Sequence, residues 1–197
     1  MEKTMKKTLL ALMILGLFAI APGLSTEARI DGEIQAKAEK ALVLDVACDA
    51  RTFRLNKGGT ILDALRGDGF IVQGKIYPGN TIPRGGTLET PGPFNPDTAP
   101  GAIGTWVCRG TFFYDIVEIM SQGKEPHLFS TQFHVLDDGR TLIHDGPEGG
   151  PQVRAIIGGM GDFSGASGEV FEEPLGTNST GLFNIRFTIK IEKKSIK

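Results

Sequence analysis

From residue 42 onward, apolar and polar positions alternate with a period of two, and the C-terminal stretch shows it best. Phe183, Ile185, Phe187, Ile189 and Ile191 alternate with Asn184, Arg186, Thr188, Lys190 and Glu192. One face is apolar and the other polar, the pattern of a half-buried antiparallel strand. The same reasoning predicts strands at 42–48, 69–77, 102–119, 127–136, 140–144, 152–158 and 167–172, with 51–55 pairing with the first. No long helical period appears. Asp138-Gly139 between two strand patterns predicts a hairpin, because glycine accepts the positive φ of a tight turn. Many short strands joined by glycine-rich turns predict a sandwich or a closed barrel.

Two regions depart from this rhythm. Residues 78–101 hold six prolines and five glycines in 24 positions, and proline removes the donors that a strand ladder needs. This is a long loop, either an inert surface connection or a lid or rim. The N-terminus is different again. Lys3, Lys6 and Lys7 precede an apolar run from Leu9 to Ala21, and Thr26-Glu27-Ala28 offers a small residue at position 28 with another two residues before it. That run is too short for a membrane helix, which needs ~20 residues. It predicts a signal peptide over 1–28, cut near Ala28, then a polar tail over 29–41 and a single β domain over 42–197. The product is expected to be secreted or periplasmic, with no membrane association after cleavage.

Composition narrows the function. Lys+Arg 21 against Asp+Glu 23 gives a net charge of −2, which excludes a basic nucleic-acid binder as the leading idea. Glycine, at 27 of 197 residues, is about twice its usual share. Cys48 and Cys108 show no zinc-ligand spacing. Three readings stay open for them: a disulfide in an oxidising compartment, two buried free thiols, or a nucleophile.

The most specific segment runs Ala155-Ile-Ile-Gly158-Gly159-Met-Gly161-Asp-Phe163-Ser-Gly165-Ala166-Ser-Gly168-Glu-Val170. It resembles the GGxGxFxGAxG signature of the allene oxide cyclase and dirigent barrel superfamily, most firmly over 155–191. Such glycines permit a sharp corner between strands, with Phe163 tucked into the core. A phosphate-binding loop is the rival reading, and it fails because no Walker lysine or helix follows. The resemblance implies an all-β, eight-stranded antiparallel closed barrel with an apolar lumen. It also implies work without metal or organic cofactor, and assembly as a homotrimer. The family's catalytic residues do not map one by one onto this chain.

In the 102–119 segment, Trp106, Cys108, Phe112 and Tyr114 share one face. They form a candidate ligand wall, aromatic with polar tips; core packing is the plainer reading, and a bulge at Gly110 would swap the faces. With a two-residue turn at Asp138-Gly139, His134 and His144 point to opposite faces; a three-residue turn brings them together. No metal site is predicted. Asp45 reads as outward-facing, Glu172-Glu173 as a solvated strand end, and Asn178-Ser179-Thr180 as a glycosylation sequon. No catalytic set is assigned.

Three functions are open. The first is a secreted barrel that holds a small apolar ligand and guides its stereoselective coupling. The second is a cofactor-free isomerase or cyclase, favoured by a titratable residue buried among lumenal aromatics. The third is a structural or surface-interaction protein whose barrel is filled by its own side chains.

Overall fold

The computed structural model describes residues 41–192. The expected leader at 1–28, and all but Ala41 of the expected tail, lie outside those residues. Eight strands form one antiparallel meander: β1 (Leu42–Leu55), β2 (Gly69–Pro78), β3 (Gly104–Phe112), β4 (Leu128–Leu136), β5 (Thr141–Glu148), β6 (Gln152–Met160), β7 (Ser167–Thr177) and β8 (Phe183–Glu192). β8 pairs back onto β1, from Leu42↔Ile189 to Ala47↔Asn184, and this closes the barrel. Closure leaves no open sheet edge.

Several expected boundaries move. Residues 51–55 do not make a separate strand; they continue β1 past a register shift between Asp49 and Arg54. The strand expected over 102–119 stops at Phe112, and α1 (Ile116–Gln122) follows. The reason is local. The Glu118 carboxylate accepts the Asp115 N–H at 3.2 Å, and Gly123 ends the helix at φ 61°. Such a start and stop suit a short helix. Gly110 forms no bulge, since β3 and β4 pair without a break from Gly104↔Leu136 to Phe112↔Leu128.

Leu44, Val46, Ile76, Phe112, Val170, Phe187 and Ile189 are buried in the interior. Two connections close the end of the barrel where β1 finishes. Ile61 and Ala64, between β1 and β2, and Ile116 and Ile119, between β3 and β4, join the same apolar cluster. The Ile116 N–H donates to the Ala64 carbonyl at 2.9 Å, tying the two connections together.

The proline-rich stretch 78–101 is no lid over this end. It lies against the outside of the barrel, where Ile82, Phe94 and Ala99 join Ala47, Tyr77 and Leu175 in a second apolar cluster. Asp45 faces outward as expected, but the loop buries it completely. Its carboxylate accepts the Ile82 N–H at 2.9 Å and pairs with Arg186 at 2.8 Å. The β6–β7 corner uses the glycine signature. Gly161 (φ 63°) and Gly165 (φ 69°) make backbone turns costly for other residues, and Phe163 is buried in the core between them.

Candidate functional site

Strand alternation inverts in part of the barrel. On β4, Ser130, Gln132 and His134 point inward and are buried, while Phe129 and Val135 are exposed. On β6, Arg154 is buried and Val153 and Ile157 are exposed; on β7, Glu172 is buried and Phe171 is exposed. The lumen therefore holds a polar cluster that apolar patterning alone does not predict.

Gln132 sits at its centre. Its Oε1 accepts the Trp106 indole N–H at 2.9 Å, which fixes the amide's orientation. Its Nε2 donates to Glu148 at 2.8 Å and to Glu172 at 3.3 Å. The Ser130 hydroxyl also donates to Glu148. Arg154, whose side chain is fully buried, donates to Glu148 at 3.4 Å, to the Pro147 carbonyl at 3.0 Å, and to Ser130. Its Nε lies 3.8 Å from Glu172. One guanidinium thus faces two carboxyl groups.

The two carboxyl groups differ in setting. Glu148, with its side chain 22% exposed, reaches solvent at the end closed by α1. Glu172 is buried beside Phe187, its partner across the β7–β8 pair. Burial, reinforced by the negative charge of Glu148, pushes Glu172 up to about 8, against the pull of Arg154 and Gln132. At neutral pH Glu172 is mostly a neutral acid next to a carboxylate. A buried carboxyl group raised in this way is a frequent preparation for acid–base chemistry. Glu172 therefore corrects the expectation of a solvated strand end; only Glu173 behaves that way, pairing with Arg84 at 2.5 Å.

The histidines follow the second of the two alternatives left open by the turn. The Leu136 N–H donates to the Arg140 carbonyl, leaving a three-residue loop over 137–139 with Gly139 at φ 89°. His134 then lies opposite Leu142, and His144 opposite Gln132. Both rings point inward, with their Nε2 atoms 2.9 Å apart. Burial keeps both neutral: His134 is lowered to about 3 and His144 well below its ordinary value.

Trp106, Cys108 and Phe112 are all buried in the lumen on one face of β3. Tyr114 is not with them, because the strand has ended. It is half-buried at the barrel end, under the cations of Arg66 and Lys124. Cys48 and Cys108 are buried free thiols on strands separated by β2, and burial pushes both up, making them poor nucleophiles. The Asn178 side chain of the sequon is buried and donates to the Cys48 carbonyl at 2.9 Å, so a glycan has no room there in the folded chain.

An open groove of about 650 Å³ crosses β1 to β4 on the outside, along Arg54, Ile71, Arg109 and Thr131. Inside, glycines make room for large neighbours. A Cβ on Gly110 would lie 2.8 Å from the Phe70 ring, and one on Gly146 would lie 3.3 Å from the Arg154 side chain.

No family model matches the chain, and no curated protein matches it in sequence. Solved structures do match. The pterocarpan synthase dirigent protein PsPTS1 is 14% identical with a TM-score of 0.53, over 77% of this chain and 93% of that one. The pterocarpan synthase dirigent protein GePTS1 is 12% identical with a TM-score of 0.52, over 77% of this chain and 87% of that one. Pyocyanin demethylase is 14% identical with a TM-score of 0.48, over 78% of this chain and the whole of that one. The chain has a dirigent-like barrel fold. At this identity the likeness is one of fold alone.

Proposed function

We propose that the barrel takes an apolar small molecule into its lumen and shifts a proton on it without a cofactor. One observation carries this reading: Glu172 is held as an acid beside Glu148, with Phe187 across the strand pair and Trp106 on the same Gln132. The acid delivers a proton to one atom of the ligand while the neighbouring carboxylate accepts one from another, so the product is an isomer. A barrel needs no such group for stability, since buried charge costs more than apolar packing. The entry route is the end where Glu148 meets solvent, past the Ala64–Ile116 contact. In the allene oxide cyclase-like version of this reading the isomer is a ring. Export by the N-terminal leader belongs to the same reading.

Two other readings rest on specific observations. The dirigent-like fold supports a guiding role, in which the lumen orients a reactive ligand and orientation does the work. The glycines filled by neighbouring side chains support a barrel with no ligand. The chain's one tryptophan separates them, because Trp106 lies in the lumen. Titration with 2-acetylnaphthalene should quench Trp106 emission saturably, and a folded protein with unchanged emission would leave only the filled barrel. Glu172→Gln should keep binding while losing proton exchange into an enolisable bound ketone in heavy water. Exchange at the wild-type rate would move the protein to the guiding role.

The exposed side chains Phe129, Val135, Val153, Ile157 and Phe171, on β4, β6 and β7, point away from the barrel. Apolar groups in such number support an interaction face. Further copies of this chain are the occupant we propose, in the homotrimer that the superfamily resemblance implies. Analytical ultracentrifugation should give three times the chain mass. A Val153→Glu variant should sediment as a monomer, and a monomeric wild type at micromolar concentration would refute the assembly.

A further inference from the structure

Among the described residues, two buried side-chain nitrogens lack a partner: His134 Nδ1 and Asn184 Nδ2. Asn184 belongs to the outer face beside Asn178. His134 belongs to the lumen, and the network around it determines where its proton lies. Arg154 Nε–H donates to His144 Nδ1 at 3.0 Å. A guanidinium has donors only, so that nitrogen of His144 must be the acceptor. His144 is neutral, so its single proton is on Nε2, and it donates across 2.9 Å to His134 Nε2. The proton of His134 is therefore on Nδ1. Arg154 thus sets both tautomers through a chain of hydrogen bonds, in the way that network geometry assigns tautomers generally.

The chain ends on an N–H donor with no acceptor, which costs free energy in a dry interior. Its surroundings are apolar: the His134 ring meets Phe187 edge-on at 4.7 Å, with Trp106 and Leu142 as its strand neighbours. Among the described lumenal residues Trp106 is committed to Gln132 and Arg154 to five acceptors, which leaves His134 Nδ1–H beside the Glu172 acid, the proton donor of the proposed reaction. No cation is left to receive an anionic ligand.

We propose that His134 Nδ1–H is the ligand-orienting donor of the lumen, and that it receives a neutral carbonyl oxygen of an apolar ligand. This rests on the lumenal-binding reading above and names the class of molecule that the lumen takes. The class excludes carboxylates and phosphates, which would arrive with a charge and find no free cation. His134 acts here as a positioning residue.

The test has two arms on the full chain. In the first, nitrogen-15 NMR of the free protein should show His134 with a protonated Nδ1 and His144 with a protonated Nε2. The opposite tautomers, or a charged ring at neutral pH, would overturn the inference whatever binds. In the second, three probes of one shape are titrated: 2-acetylnaphthalene, 2-isopropenylnaphthalene (the carbonyl oxygen replaced by CH2) and 2-naphthoate. The ketone should bind about tenfold more tightly than the alkene, shift the His134 Nδ1 resonance, and exceed the carboxylate. His134→Phe should erase the preference. His134→Asn, whose amide nitrogen reaches about the same point, should keep part of it. Equal binding of ketone and alkene would defeat the carbonyl assignment and leave the lumenal reading intact. Failure of all three to bind would defeat both.

Discussion

Raising the pH should destabilise this fold well before its lysines or thiols titrate, because of Glu172. Its carboxyl group has an ordinary value of 4.5 and is pushed up to about 8 in the folded chain. A group raised on folding binds its proton more tightly in the native state. Its contribution is fully present below the unfolded value and is lost as pH rises through the folded one. At about 1.4 kcal/mol per unit, the whole interval is worth about 5 kcal/mol, and the stretch from pH 6.5 to 8 about 2 kcal/mol. The histidines act on the other side. His134 is lowered from 6.5 to about 3 and His144 is lowered as well, so their contribution is present above 6.5 and lost as pH falls below it. Between 4.5 and 6.5 two histidines outweigh one glutamate and stability rises with pH. Above 6.5 only the glutamate is left, and stability falls. The expected profile is a peak near pH 6.5. Urea unfolding followed by Trp106 emission, at half-unit steps from pH 5 to 8.5, would trace it. A domain of this size is stable by roughly 5–15 kcal/mol, so a loss of about 2 kcal/mol is an obvious shift in midpoint. Glu172→Gln removes the titrating group and keeps the shape, and it should flatten the limb above 6.5 while steepening the acid limb, where the glutamate no longer opposes the two histidines. A wild-type midpoint that is constant from 6.5 to 8.5, or an equal decline in the variant, would refute the reasoning.

The remaining predictions concern the charged residues that the barrel buries. Arg154→Met should cost about 3–5 kcal/mol, because removing one partner strands buried carboxyl groups; a urea midpoint within error of wild type would show that Arg154 does not hold them. Asp45→Ala should release the 78–101 loop from the outer wall, since it removes both the Ile82 contact and the Arg186 pair. Limited proteolysis should then cut within 78–101 at least tenfold faster while Trp106 emission stays native, and unchanged cleavage would place the loop's anchorage in the Tyr77 cluster alone.

Much of the fold was legible in the chain. Period-two alternation located all eight strands, and the Gly158–Gly168 signature placed the β6–β7 corner with Phe163 inside it. The errors came where local chemistry competed with alternation. Asp115, Glu118 and Gly123 carry helix-end signals, yet the run of aromatic and β-branched residues through 112–117 reads as strand. Tyr114 was counted as a wall residue for that reason alone. The burial of Asp45 and Asn178 depends on segments far away in sequence, and no nearby residue announces it.

The site was hidden for a more general reason. The ordinary rule sends the apolar face of a strand inward, and β4, β6 and β7 each break it. His134 shows how narrow the margin is: a three-residue turn at Asp138-Gly139, in place of the two-residue one that the sequence left equally open, brings the two rings to one face as a hydrogen-bonded pair. The same inversion has a second consequence. Every polar side chain that β4 sends inward is matched by an apolar neighbour sent out, so Gln132 in the lumen implies Phe133 and Thr131 on the wall, and Ser130 implies Phe129. A polar lumen and an apolar exterior are therefore one feature of these strands. If further copies cover that exterior, the association energy offsets what the buried Arg154 and Glu172 cost. Restoring the ordinary pattern for the whole charged set, with Val153→Lys, Arg154→Leu, Glu148→Gln and Glu172→Leu together, should then yield a monomer that urea unfolding finds no less stable than the separated wild-type chain.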